Sequence, residues 1–180
     1  MTAGFPAITA AALAFALWPV LPVAAQTGQP MGVVDALIDG AAYHGETLDV
    51  PSEGTATAEF RAFGPMTSIT LQAHDPEAES IMRNVLAVEI SLMGNEPSSP
   101  VIDVSVSYWP EGMGGPFYMS TDSGVAASVT FEGFSLGDEP SVSGSFSAVM
   151  CRHESMFAEA DTDNCLPVEG TFDTRLRDAG

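Results

Sequence analysis

The sequence contains no lysine, and its five basic residues are all arginines. The absence of lysine excludes Schiff-base catalysis, the phosphate-binding loop that needs a lysine, and serine–lysine nucleophile pairs. Against 24 Asp and Glu residues, the arginines leave a formal net charge of −19. Because so acidic a surface repels polyanions, we expect no binding to nucleic acid or to anionic membrane surfaces.

The common catalytic motifs are also missing. No G-x-S-x-G nucleophile elbow occurs, and the Ser123 segment (residues 121–124) resembles the serine motif of chymotrypsin-like proteases without its flanking glycines. His153 and Glu154 begin like the zinc motif H-E-x-x-H, but Phe157 stands where the second histidine is required. The spacing of the three histidines does not demand a metal, and we interpret His44, His74 and His153 as surface histidines. The sequence therefore predicts no catalytic residues.

The N-terminus has the pattern of a cleaved signal peptide. A short apolar run, 7–23, ends in small residues that suit cleavage after Ala25, although no basic residue precedes it. The rival interpretation, an uncleaved membrane anchor, is opposed by the short length of the run and its two prolines. We predict a signal peptide over 1–25, a flexible tail over 26–32 and a single domain over 33–180. No other stretch suits a membrane span, so we expect a periplasmic or secreted protein.

Only two cysteines are present, Cys151 and Cys165. In an exported chain, two cysteines most often form one structural disulfide. They lie between two copies of the pattern V-x-G-[S/T]-F, at Val142–Phe146 and at Val168–Phe172. This arrangement predicts an antiparallel C-terminal hairpin that the disulfide closes near its tip.

The hairpin hypothesis fixes a register. If the two cysteines are paired, Phe146 faces Gly170 and Phe172 faces Gly144, so that each ring covers the bare backbone of a glycine. Because alternate residues of a strand point to opposite faces, one face is then entirely apolar or glycine, and the other carries serines, Thr171 and acidic residues. A slip of one residue would destroy this sorting.

The remaining sequence indicates an all-β fold. Short runs with alternating or β-rich composition, separated by Gly- and Pro-rich turns, occupy residues 55–63, 67–74, 85–93, 102–108, 116–120 and 125–134. A helix of at most two or three turns fits only over 75–83, with Asp75 as its N-cap. About eight or nine short strands predict an antiparallel β-sandwich, with a squat barrel as the alternative.

Two regions are candidate binding sites. The loop between the cysteines carries oxygen ligands of the kind that calcium prefers, at Glu159, Asp161, Asp163 and Asn164, but it lacks the EF-hand spacing. Calcium is the only cofactor that the sequence suggests, and an ordinary solvated acidic loop is the simpler interpretation. The second region places Trp109 and Tyr118 around a Gly-rich turn, where aromatic rings suit contact with a glycan or a protein partner. Trp109 falls on the polar face of its strand and could contact a ligand there, but packing beneath the turn is the favoured interpretation.

The order of these features resembles a loose group of uncharacterised exported bacterial β-sandwich domains. The resemblance rests on Ile38-Asp39-Gly40, on the alternating strands and on the late V-x-G-[S/T]-F strand. It implies a fold and a compartment, but no activity and no site residues. We therefore expect a non-enzymatic binding or structural module of the bacterial envelope. The alternatives are a calcium-stabilised module using the acidic loop and a carbohydrate-binding or carbohydrate-active protein.

Overall fold

A computed structural model describes Met1 and residues 28–180, and the predicted signal peptide lies outside these residues apart from Met1. Residues 28–180 form twelve β-strands: β1 Gln29–Ile38, β2 Ala41–Val50, β3 Thr55–Ala56, β4 Ala58–Phe63, β5 Met66–His74, β6 Val85–Leu92, β7 Val101–Trp109, β8 Phe117–Met119, β9 Ser128–Ser135, β10 Ser141–His153, β11 Asp161–Arg175 and β12 Arg177–Asp178. Residues 28–180 contain no helix, and this part of the chain therefore has no helix that could cross a membrane. The all-β prediction is confirmed.

The strands form one sheet that closes on itself. Its hydrogen-bonded neighbours run β1, β2, β5, β6, β7, β8, β10 and β11, and β11 then pairs with β1. The sheet is closed between β2 and β5, where Glu46 pairs with His74. Thr57 strengthens this junction, because its Oγ accepts a hydrogen bond from the amide of Leu48 and donates one to the carbonyl of Gln72. The two layers of the predicted sandwich are therefore continuous, and inward residues from both belong to one apolar core.

The C-terminal hairpin has the predicted register. Cys151 and Cys165 form a disulfide and face each other between β10 and β11. Phe146 pairs with Gly170, and the same register continues to the far end of both strands. β10 is the centre of this region, because it also pairs with β8 near its end and with β9 along its first half. The hairpin therefore pairs with three other strands, with β8 and β9 through β10 and with β1 through β11.

Three sequence interpretations are wrong in detail. Residues 29–32 of the predicted flexible tail belong to β1. The segment 75–83 forms isolated turns instead of a helix, and Asp75 accepts the amide of Glu77 through its side chain. β2 was not predicted, because its inward positions include a glycine and a threonine and give no apolar alternation. The first and third errors concern strands that pair with partners distant in sequence, β11 for β1 and β5 for β2.

Candidate functional site

A row of large side chains crosses the outer face of the sheet from β5 to β10. His74 pairs with Val85, Val85 pairs with Trp109, and Phe117 pairs with His153. All five occupy positions that alternate with core residues, so they point away from the main core. They are nevertheless mostly buried, because the loops that follow β5, β7 and β10 fold over them.

Three rings in this row form a continuous stack. Trp109 stacks on Phe117 with ring centroids 4.4 Å apart, and Phe117 stacks on His153 with centroids 5.2 Å apart. The indole Nε1 of Trp109 donates a hydrogen bond of 3.1 Å to Ser107 Oγ. Phe117 and Ser107 therefore hold the indole of Trp109 in place, and Phe117 covers one of its two ring faces.

A cavity of about 210 Å³ adjoins Trp109. Its floor is the outer face of β5, β6 and β7, and its roof comes from the loops 75–84 and 110–116. Five of the side chains that line it are apolar or sulfur-containing: Met82, Val85, Ala87, Trp109 and Met113. His74 is the buried polar residue of the lining. Gln72, Glu89 and Ser107 are the other polar contributors. The cavity therefore offers few polar groups within a largely apolar lining.

Gly112 brings the two roof loops together. Its φ of +84° lies in the left-handed region that favours glycine, and an added Cβ would lie 2.7 Å from the backbone oxygen of Met82. The amide of Asn84 also donates to the carbonyl of Pro110, which ties the same two loops. Met113 directly follows the contact between Gly112 and Met82. The backbone therefore brings together the two loops that carry these methionines, and both side chains line the cavity.

His74 is the buried polar group of the cavity. Only 8% of the residue is exposed, and its Nδ1 lies 2.7 Å from the carbonyl oxygen of Ile81. Since a carbonyl only accepts, Nδ1 carries the proton and Nε2 presents a lone pair. Nε2 is buried and has no hydrogen-bond partner among residues 28–180. Burial lowers the pKa of His74, against a smaller opposing effect of the bond to Ile81, and this favours the neutral imidazole.

The other two histidines lie in different environments. His153 is buried, its Nδ1 lies 3.1 Å from the carbonyl of Ala158, and its Nε2 lies 3.7 Å from Asp122 Oδ2, beyond hydrogen-bond range. His44 is exposed, and its hydrogen bond of 2.7 Å to Asp35 raises its pKa. The interpretation of all three as surface histidines is therefore wrong for His74 and His153 and confirmed for His44.

The acidic loop does not assemble a cation site. Glu159, Asp161, Asp163 and Asn164 are all exposed, and Asp161 Oδ1 accepts the amide of Asp163. Within residues 28–180, no group of three or more His, Cys, Asp or Glu side chains is arranged to hold a metal ion. The observed geometry gives the calcium hypothesis no further support.

The two predicted aromatic contacts lie on opposite faces of the sheet. Trp109 lines the outer cavity, whereas Tyr118 pairs with Tyr108 and packs against the core. The two rings therefore do not form one ligand platform. The sequence also did not indicate Met82 and Met113, because only the cross-strand register and the fold of two loops place them beside Trp109.

A wider depression lies on the outer face of β1, β9, β10 and β11. It is open to solvent and is lined by short polar side chains, among them Asp35, Ser128, Ser145 and Thr171. It lacks the buried, unpaired polar atom and the loop roof that characterise the cavity beside Trp109. We therefore take the smaller cavity as the candidate site.

No family model, curated protein or solved structure matches this chain. The resemblance to exported bacterial β-sandwich domains thus stays a prediction.

Proposed function

We propose that the protein is a non-enzymatic binding module of the bacterial envelope and that it holds a small ligand in the cavity beside Trp109. The observation that carries the proposal is the cavity itself, which is lined by Trp109 and by His74, a residue whose buried Nε2 has no hydrogen-bond partner among residues 28–180. An unpaired buried polar atom costs about 1–3 kcal/mol, and a bound ligand would recover that free energy.

The lining of the cavity suits binding. Small-molecule sites are typically apolar, with a few polar groups that fix the orientation of the ligand. Here Trp109 is already fixed by Phe117 and Ser107, so the wall needs little reorganisation when a ligand enters. The volume of about 210 Å³ restricts the ligand to a metal ion or a molecule of a few heavy atoms.

The proposed location outside the cytoplasm is supported by the disulfide between Cys151 and Cys165, since such bonds persist in oxidising compartments. We propose that the signal peptide is cleaved after Ala25, which releases a periplasmic or secreted protein that starts at Gln26. N-terminal sequencing of the protein recovered from the envelope fraction or medium checks this. An intact N-terminus, or recovery only from the cytoplasm, would contradict it.

A cavity-filling variant tests the binding role. The probes are benzene, indole and a panel of metal ions, measured by thermal shift and, for the metal ions, by the fluorescence of Trp109 in the mature protein from Gln26, in which it is the one tryptophan. We expect at least one probe to raise the melting temperature of the parent protein and to lose this effect in Ala87→Leu, because Ala87 lies in the floor of the cavity. Ala42→Leu, at an exposed position of β2, is the matched control and should respond like the parent. If no probe stabilises the protein, or if Ala87→Leu responds unchanged, the cavity is not the binding site.

A further inference from the structure

We propose that the cavity beside Trp109 is a site for monovalent copper, Cu(I), with His74 Nε2 and the thioether sulfurs of Met82 and Met113 as its ligands. This inference names the ligand of the binding module proposed above and rests on that function.

The first argument is the orientation of His74. Metal-binding histidines usually donate their second ring nitrogen to a carbonyl or carboxylate, which fixes the tautomer and the direction of the ligating lone pair. His74 has this arrangement, because Nδ1 is held 2.7 Å from the carbonyl of Ile81 while Nε2 is buried and unpaired within the described chain. The imidazole therefore has the tautomer of a metal ligand before any metal binds.

The second argument is the position of the methionines. Met82 directly follows Ile81, so the loop that orients His74 also supplies the first thioether. Gly112 lies against the backbone of Met82 and is followed by Met113, which supplies the second. Met82 is 47% exposed and Met113 is 73% exposed, so neither sulfur is committed to core packing and both can turn toward an ion.

The third argument is the chemistry of the donors. Thioether sulfur is a soft ligand that selects Cu(I), whereas hard cations such as calcium and magnesium take oxygen ligands. Imidazole also suits copper. The indole of Trp109 forms part of the same wall and can make a cation–π contact with a bound monovalent ion. The strongly acidic chain raises the local concentration of cations around the cavity.

The test measures Cu(I) binding without oxygen by competition with bicinchoninate, and uses Ag(I) as a redox-inert probe of the same ligand class. We expect the mature parent protein to bind one Cu(I), and we expect Ag(I) to change the fluorescence of Trp109, its one tryptophan. The double variant Met82→Leu/Met113→Leu keeps the apolar volume of both side chains, and we expect its Cu(I) affinity to fall by about 100-fold. The matched control is Met93→Leu/Met156→Leu, which changes two exposed methionines outside the cavity and should bind Cu(I) like the parent.

Two histidine variants, compared with each other, separate the role of His74 in Cu(I) binding from a general effect of any histidine side chain. His74→Gln should lose Cu(I) binding, whereas His44→Gln, at an exposed histidine, should retain it. Because His74 is buried, the circular dichroism of each variant is compared with that of the parent, and the methionine variants decide the outcome if His74→Gln is unfolded.

The outcomes distinguish this inference from the function on which it rests. Unchanged Cu(I) affinity in Met82→Leu/Met113→Leu, or tighter binding of Zn(II) than of Cu(I), would overturn the copper site. If benzene or indole binds and Cu(I) does not, the copper site is wrong and the binding function stands. If no probe binds, both proposals fail.

Discussion

Replacing Gly144 with alanine tests the packing that fixes the C-terminal hairpin. Gly144 lies in β10 between two strands, paired with Phe172 of β11 and with Phe131 of β9. A Cβ at this position would lie 2.1 Å from the carbonyl oxygen of Thr130 and 3.1 Å from the ring of Phe172. The methyl group thus meets backbone on one side and a core aromatic ring on the other.

The size of the effect follows from these distances. Real Cβ contacts are essentially never shorter than 3.0 Å, so the backbone of β9 must move away from Gly144 by about 0.9 Å. Inserting a group into a well-packed core costs about 1–3 kcal/mol. Because the neighbour is a strand backbone rather than a flexible side chain, we expect a loss near the upper end, about 3 kcal/mol, in the free energy of unfolding.

Urea unfolding followed by far-UV circular dichroism measures the change. The matched control is Gly137→Ala, since a Cβ there would meet only the hydroxyl of Ser135 at 3.9 Å, an ordinary contact. We expect this control to stay within about 0.5 kcal/mol of the parent, as exposed substitutions usually do. If Gly144→Ala and Gly137→Ala unfold at the same urea concentration, the close packing of β9, β10 and β11 at Gly144 is wrong.

Three further predictions follow from local geometry. Replacing Cys151 and Cys165 with alanine opens a loop of 14 positions and should lower the free energy of unfolding by about 3 kcal/mol, and an unchanged urea midpoint would contradict a stabilising disulfide. Tyr43→Phe removes a buried hydroxyl that bonds backbone groups of β5 and β6 and should cost about 1–3 kcal/mol in thermal or urea unfolding, whereas parent-like stability would refute this. The pKa of His44 should lie above its ordinary value of 6.5 in an NMR titration and should fall in Asp35→Asn. Since this pKa is raised, the stabilising contribution of His44 is present below pH 6.5 and is lost as the pH rises through the folded-state pKa. If the pKa of His44 is the same in Asp35→Asn as in the parent, the pairing with Asp35 is wrong.

The C-terminal hairpin was predictable because its constraints are local. Cys151 and Cys165 define a register, and the repeated glycine and phenylalanine positions agree with it. β2 could not be predicted in this way. Its inward positions include Tyr43, Gly45 and Thr47, and Thr47 is satisfied by a hydroxyl contact of 2.6 Å with Thr174, at the other end of the sequence. A buried polar pair of this kind has no signature in either segment alone.

The candidate site was only partly predictable. The parity of β7 correctly placed Trp109 on the outer face. His74 had the same outward parity on β5, but its burial depends on the turns of residues 75–84 folding back so that the carbonyl of Ile81 meets the ring. Met82 and Met113 are distant in sequence, and they line one cavity because the loop at Gly112 packs against the backbone of Met82. Loop geometry, which alternation does not encode, therefore determines the chemistry of the cavity.

The pairing of β1 with β11 sets the order in which the molecule can assemble. β4, β5, β6 and β7 are joined by short connections and can associate as soon as each strand exists, whereas β1 must wait for a partner from the other end of the chain. Until β11 pairs with β1, the β1–β2 hairpin has an open edge, and the core residues that face this edge remain exposed to solvent. Long-range strand pairing slows folding because the cost of closing the loop precedes any gain from contacts. We therefore expect the docking of the C-terminal hairpin to be a late step of folding, before which the open edge of β1 can pair with another copy of the chain.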